Sequence, residues 1–278
     1  MSRENRPGYG ADVLQGKGTF ITAKAVTTWD TWMACGFTWA ALQHVWTWGS
    51  ATGSLSTSTR EVTRSPERLV DEAIRLRAYG SQAWWWAWVV PSRVDAYVDR
   101  FAADLAFVGE AAPSGVILNL ELAEPGGRGD KRPAWTAGAG VEDAAARLLR
   151  GVRSVWPGDV YVTTHGLRVD RQPWSVLRDA DGVMPQAYNP SCSYAPGFVG
   201  RCVDSYGQTF PRERIVPVLG ANSTPASCMQ RFVGEAHDAD VSGVGWWAWT
   251  GLASASSKRA VVAACDLTPS IVRRTAVS

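Results

Sequence analysis

The sequence predicts an α/β protein folded as a single (β/α)8 TIM barrel, and three observations carry that prediction. Strand-like and helix-like segments alternate from residue 18 to the C-terminal region, no composition break divides them, and the longest connections follow strands rather than precede them. A chain of 278 residues that is 46% hydrophobic has the mass for one large core and slightly exceeds the roughly 250 residues typical of such a barrel. Residues 1–17 read as an N-terminal arm and 18–278 as the barrel.

GTFITAKA (18–25) reads as the first strand, followed by a short helix through Trp29, Trp32 and Met33. FTWAALQHVWTW (37–48) supplies the second strand, and a Gly/Ser/Thr-rich loop runs from Gly49 to Ser65. Pro66 suits a helix start and Gly80 its C-cap, so ERLVDEAIRLRAYG is helical. AWWWAWVV (83–90) is the third strand, closed by Pro91, and an amphipathic helix spans 92–110 with Ser92 as its N-cap. GVILNLELAEPGG (115–127) holds the fourth strand, in which Leu118, Leu120 and Leu122 alternate with Asn119 and Glu121 before Pro125, Gly126 and Gly127 break it. A helix from about Val141 to Val155 leads to the fifth strand, DVYVTTHG (159–166). WSVLRDAD is a short helix, GVMPQAYNP (182–190) the sixth strand and RIVPVLGAN (214–222) the seventh. TPASCMQRFVGEAHDAD is a helix, GVGWWAWTG (243–251) the eighth strand, and a closing helix covers roughly Ser256 to Cys265.

Three long connections follow strands two, four and six: 49–65, 123–140 and 189–211. Connections that follow strands lie at the C-terminal face of a barrel, where barrel sites are built.

Bulk properties exclude several classes. A net charge of +2 gives no reason to expect a nucleic-acid or anionic-membrane partner, and no apolar run reaches the ~20 residues of a membrane span. The three histidines (His44, His165, His237) show no metal-ligand spacing and no C-x-x-C occurs, so neither a metal nor another cofactor is expected. MSRENRPGYGADVLQGKG lacks the apolar stretch of a secretory signal, which predicts synthesis in the cytoplasm as a soluble chain, with virion association or release at lysis as routes to an outside target. Five cysteines leave Cys192 with Cys202, and Cys228 with Cys265, as candidate pairs with Cys35 left over; free buried thiols are the alternative in a reducing compartment. The 15 tryptophans are either core filling or platforms for flat ligands such as sugar rings.

The polar residues near predicted strand ends converge. Strand four contributes Asn119 and Glu121, strand five Thr164 and His165, strand six Gln186, Tyr188 and Asn189, and strand seven Asn222. Trp86, Trp247 and Trp249 supply aromatic surface from strands three and eight. Glycoside hydrolysis needs a proton donor at the leaving oxygen, and an aromatic-lined pocket raises a carboxyl pKa toward that role, which Glu121 fits. Gln186 and Tyr188 suit the positioning of an N-acetyl or hydroxyl group. Each residue also has a plain structural reading: Glu121 as a salt-bridged interior carboxylate, His165 as a strand-end side chain, Gln186 and Tyr188 as hydrogen-bonded packing, Asp181 as a structural group below the sixth strand.

Asn-x-Glu on strand four, MPQAYN on strand six and GWWAW on strand eight resemble the family 18 glycoside hydrolase barrels. In those, strand four ends in D-x-E, strand six carries a Tyr motif and strand eight ends in a Trp. The layout also resembles uncharacterised bacterial and phage glycoside-hydrolase-like proteins with VMPQ-x-Y on strand six. Likeness to the muramidase-type lysins of family 25 is weaker, because those carry an Asp on the first strand and GTFITAKA has none. The resemblance implies Glu121 as general acid, Asn119 in place of the assisting Asp, Gln186 and Tyr188 as the strand-six pair, and Trp247 or Trp249 as subsite floor. Asn119 is the departure: an amide hydrogen-bonds the acetamido group but supplies no negative charge. Glu124, three residues beyond Glu121 and past the strand end, is a carboxylate that could replace it.

Two functions follow. One is hydrolysis of an N-acetylhexosamine polymer such as peptidoglycan or chitin, favoured by Glu121, Gln186 and Tyr188. The other is a catalytically inactive barrel that binds glycan or serves as a structural component of a phage tail or similar particle, favoured by Asn119.

Overall fold

The computed structural model describes residues 14–23, 28–47, 61–120, 135, 139–167, 169, 172–173, 177–188 and 192–267. In chain order these form β1 (Gly16–Ile21), α1 (Trp29–Met33), β2 (Trp39–Thr47), β3 (Glu61–Thr63), α2 (Pro66–Ala78), β4 (Gln82–Trp88), α3 (Val94–Val108), β5 (Gly115–Asn119), α4 (Ala139–Val155), β6 (Asp159–His165), β7 (Gly182–Ala187), α5 (Phe198–Asp204), β8 (Val218–Gly220), α6 (Ala226–Asp238), β9 (Gly243–Trp247), α7 (Trp249–Ala253) and α8 (Ser256–Ala264). Eight strands pair in parallel around a ring, β1-β2-β4-β5-β6-β7-β8-β9, and the β9–β1 ladder closes it. The fold is a (β/α)8 barrel.

β3 is additional. It pairs antiparallel with the end of β2, Val45 against Thr63, so the predicted 49–65 loop ends in a strand that extends the barrel rim. Ser65 then caps α2, its Oγ accepting from the Arg68 N–H at 3.3 Å. At the start of α3 the expected Ser92 cap is replaced by a 3-10 turn over Pro91–Arg93, and the α-helix begins at Val94. β8 is shorter than its apolar run suggests, because Pro217 has no N–H to give the ladder; only a bridge from Ile215 to Val183 precedes it.

The core splits in two along the strand alternation. Outward-facing Leu42, Trp85, Val116, Leu118, Val162, Leu219 and Trp246 pack under the helices with Leu69, Phe101, Leu148 and Phe232. Inward-facing Phe20, Trp39, Trp84, Trp86, Trp88, Ile117, Tyr161, Met184 and Val218 fill the barrel itself. The run of tryptophans on β4 is therefore divided, three rings inside and Trp85 outside. Eight strands enclose little space, so an interior indole needs a glycine across from it. A Cβ on Gly18 would fall within the Trp39 ring and one on Gly115 within Trp84.

Charges close the bottom of the barrel. Arg214 reaches Asp159 at 2.8 Å with both side chains buried, and Asp181 accepts from Arg153 and from the Val160 N–H at the foot of β6. On the flank, a bulge in β2 between Gln43 and Val45 turns His44 toward α3, where its Nε2 lies 2.8 Å from Asp104 Oδ2 and its ring stacks on Trp85.

The predicted cysteine pairing is corrected. Cys192 is bonded to Cys228, with Cα atoms 5.9 Å apart, tying the connection after β7 to the start of α6. Cys202 faces the barrel wall from α5 and stays a thiol, as do Cys265 and Cys35. Burial pushes the Cys202 thiol up to about 12 and the Cys265 thiol up to about 11. Closing the 36-residue separation is worth about 4 kcal/mol of chain entropy.

Candidate functional site

The C-terminal mouth is assembled by register. Trp88, Asn119 and Thr163 stand level on β4, β5 and β6, and His165 lies beside Gln186 on β7. Asn119 is buried, and its Oδ1 accepts from Gln186 Nε2 at 3.3 Å, so the amides of strands four and six of the sequence reading meet inside the barrel. Tyr188, immediately past β7, is partly buried and packs with the interior cluster beside Gly220. Thr163 Oγ1 donates to the Met184 carbonyl at 2.9 Å and braces the floor under this pair.

Aromatic rings form the facing wall. Trp247 lies 5.2 Å from Trp86 and 5.5 Å from Phe20, and Phe20 lies 6.0 Å from Trp86, all at steep or tilted angles that suit ring quadrupoles. Trp86 is wholly buried and Trp247 only partly, so Trp86 and Phe20 back a ring whose remaining surface faces the mouth. The ends of β8 and β9 are bound together around it. Ala221 N–H donates to the Trp247 carbonyl at 2.6 Å, Asn222 Oδ1 accepts from Ala248 N–H and Thr250 Oγ1, and Lys258 donates to the carbonyls of Ala221 and Asn222. The Trp247–Ala248 peptide is cis.

His165 is half-buried. Its Nδ1 accepts from the Leu167 N–H at 3.2 Å, and its carbonyl accepts from the buried Tyr206 hydroxyl at 2.6 Å. Thr164 does not join it. Tyr161, Thr163 and His165 share the inward side of β6, so the residue between them faces out, and Thr164 Oγ1 donates to the Leu120 carbonyl. Trp249 is likewise moved: β9 ends at Trp247, and Trp249 opens α7, fully buried in the outer layer with its ring 6.4 Å from Phe37. Glu121 and Asn189 lie outside the described residues, as does Glu124.

The sequence reading missed Phe20 and Trp88 at the mouth. Phe20 shares the inward parity of β1, a signal that becomes readable once the direction of one residue on that strand is known. Trp135 is also new: it is buried, and its Nε1 donates to the Val89 carbonyl at 2.8 Å, which holds this side chain against the end of β4. Among the described residues, no group of three or more His, Cys, Asp or Glu side chains could hold a metal ion, and no helix is long and apolar enough to cross a membrane.

No protein-family model matches the sequence, and no curated protein sequence matches it. Solved structures match its fold over nearly the whole chain. A chitinase from Rhizomucor miehei superposes with a TM-score of 0.60 at 13% identity, covering 91% of this chain and 100% of that one. A glycoside hydrolase family 18 N-acetylglucosaminidase from Paenibacillus barengoltzii gives a TM-score of 0.60 at 10% identity, over 91% of this chain and 100% of its own. A xylanase and alpha-amylase inhibitor protein from Scadoxus multiflorus gives 0.59 at 10% identity, over 89% and 98%. At these identities the likeness is one of fold, and the chain carries the (β/α)8 barrel fold of the family 18 glycoside hydrolases.

Proposed function

We propose that the barrel mouth binds an N-acetylhexosamine polymer such as chitin or peptidoglycan and hydrolyses it with Glu121 as general acid. The observation that carries this reading is the inward-facing Asn119–Gln186 amide pair, in a barrel interior against which both Tyr188 and the partly exposed Trp247 pack. Stacked on Trp247, a pyranose presents its apolar C–H face to the indole, and its acetamido group reaches the amide pair and the Tyr188 hydroxyl. Glu121, two residues beyond Asn119 on the same strand parity, is placed by the sequence to protonate the glycosidic oxygen. The chitinase and N-acetylglucosaminidase barrels that share the fold support this substrate class.

The experiment compares wild type with Glu121→Gln, following release of reducing ends from chitin and loss of turbidity of purified cell walls. A loss of about 10²–10⁴-fold is expected for removal of a general acid. Equal rates in the two proteins would sink the Glu121 mechanism.

A second reading is favoured by Asn119. Its neutral amide holds Gln186 but supplies no negative charge for the substrate's acetamido group. The mouth then binds glycan without cleaving it, as part of a phage tail or similar particle. Under this reading neither protein releases reducing ends, while the N-acetylglucosamine tetramer binds and Trp247→Ala weakens it.

A further inference from the structure

Outside the barrel, a groove of about 770 Å³ runs between α5 and α6. Asp204, Arg212, Arg231, Glu235 and Asp238 line its walls, and Gly200 and Gly234 open its floor. Each of these glycines sits inside a helix, where glycine is about 1 kcal/mol less favourable than alanine. Neither is required by packing, since a Cβ at either position would meet no atom within 4 Å.

The groove adjoins a rigid aromatic surface. Tyr194 lies flat on Phe198, ring centroids 4.3 Å apart and planes 12° apart; Phe198 is buried, whereas Tyr194 is 47% exposed. Residues 193–197 are all exposed, yet α5 and α6 pin this segment at every step. Cys192 is bonded to Cys228 of α6, and Arg231 Nη2 donates to the Tyr194 carbonyl at 3.3 Å. Arg201 donates to the carbonyls of Ala195 and Pro196, and Glu235 accepts from the Gly197 and Val199 N–H groups at 3.0 and 2.9 Å. An exposed aromatic already immobilised loses little entropy when it takes up a ligand.

A flat, half-exposed ring beside a groove walled by carboxylates and guanidinium groups matches the two faces of a pyranose, C–H groups for stacking and hydroxyls for charged partners. Four carboxylates (Asp204, Glu235, Asp238, Asp240) against two guanidinium groups make the groove acidic, which disfavours a polyanionic nucleic acid. Tyr194 also follows Tyr188 by six residues, at most about 20 Å of chain, so one polymer of a few sugars spans the mouth and this surface.

We propose that the Tyr194 platform and the α5–α6 groove form a second glycan-binding surface that captures the polymer whose other end occupies the barrel mouth. This rests on the reading of the mouth as a glycan site. The test uses retention on insoluble chitin and on purified cell walls, together with calorimetric binding of the N-acetylglucosamine tetramer. Wild type is compared with Tyr194→Ala, Gly234→Gln and Trp247→Ala. Tyr194→Ala and Gly234→Gln should each lower retention roughly tenfold while tetramer binding at the mouth persists, since two linked sites give avidity that one lacks. Gly234→Gln should also raise the melting temperature, which separates a blocked groove from a misfolded one. Unchanged retention in both variants, with retention lost in Trp247→Ala, overturns the second surface and leaves the mouth reading standing. Retention lost in Tyr194→Ala and kept in Trp247→Ala upholds the surface and removes the mouth. A wild type that binds neither polymer overturns both.

Discussion

The two ends of the barrel are built on opposite electrostatic plans. At the bottom, Asp159 and Arg214 are buried within 2.8 Å of each other, and Asp181 is shared between Arg153 and the Val160 N–H. Above them Trp39, Trp84 and Tyr161 fill the interior against glycines. At the mouth Asn119, Gln186, Tyr188 and Thr163 are neutral and share the interior with Trp247, Trp86 and Phe20, while the cations Lys258 and Arg64 at that end are bound to the backbone carbonyls of Ala221 and Asn222 and of Ile21 and Thr22. Charge at the bottom is neutralised within the fold and serves stability. The mouth instead places neutral donors and acceptors beside an aromatic ring, which suits an uncharged, polyhydroxylated ligand.

This contrast can be broken from either end. The largest effect belongs to the bottom: Asp159→Asn leaves the buried Arg214 without its charge partner and should destabilise the fold by about 3–5 kcal/mol in chemical denaturation. Below its lowered melting temperature, glycan binding at the mouth should persist; a parallel loss of both would erase the division between the ends. Next comes Asn119→Asp. If the mouth is a hydrolytic site weakened by its amide, restoring the carboxylate should raise the rate of reducing-end release by roughly 10²–10³-fold, the size of one electrostatic stabiliser. No gain would favour the binding-only reading. Trp247→Ala should weaken tetramer binding about tenfold, or about 1.4 kcal/mol by titration calorimetry, read well below the melting temperature because the substitution also removes packing against Trp86 and Phe20.

The smallest effect is a pH dependence on the flank. Burial works against the charge of Asp104, but hydrogen bonds from His44 and Arg100 outweigh it and hold the carboxyl below the usual carboxylate range. A depressed folded pKa stabilises the protein above the unfolded value of about 3.9 and loses that stability as pH falls through the folded value. Asp104→Asn should therefore flatten the acid limb of a stability profile and leave its neutral-to-acid difference smaller than in wild type.

Some of this was legible in the amino-acid order. The period-two alternation of Leu118 and Leu120 against Asn119 correctly separates the helix-facing side of β5 from the barrel interior. MPQAY likewise sends Gln186 inward to meet Asn119. Alternation failed where a strand ended sooner than its apolar run. GWWAW reads as one strand with Trp247 and Trp249 side by side, yet the chain turns into α7 after Ala248 and buries Trp249 beneath Phe37. Thr164 and His165, both expected at the mouth, are strand neighbours that face opposite ways, and Thr164 turns out to the Leu120 carbonyl.

Barrel class, strand order and the polar residues that share a parity on each strand can be read from the amino-acid order, because hydrophobic periodicity and turn chemistry act over a few residues. The inward parity of AWWWAW, the placing of Trp39 and Trp84 against glycines, and the bond from Cys192 to Cys228 rather than Cys202 came from the assembled fold. Those outcomes depend on ring closure and on distances between elements far apart in the chain. Asn119 lies on both sides of the division: its place on an inward parity is written in the alternation of strand residues, and its bond to Gln186 exists because the sheet brings β5 and β7 together on either side of β6.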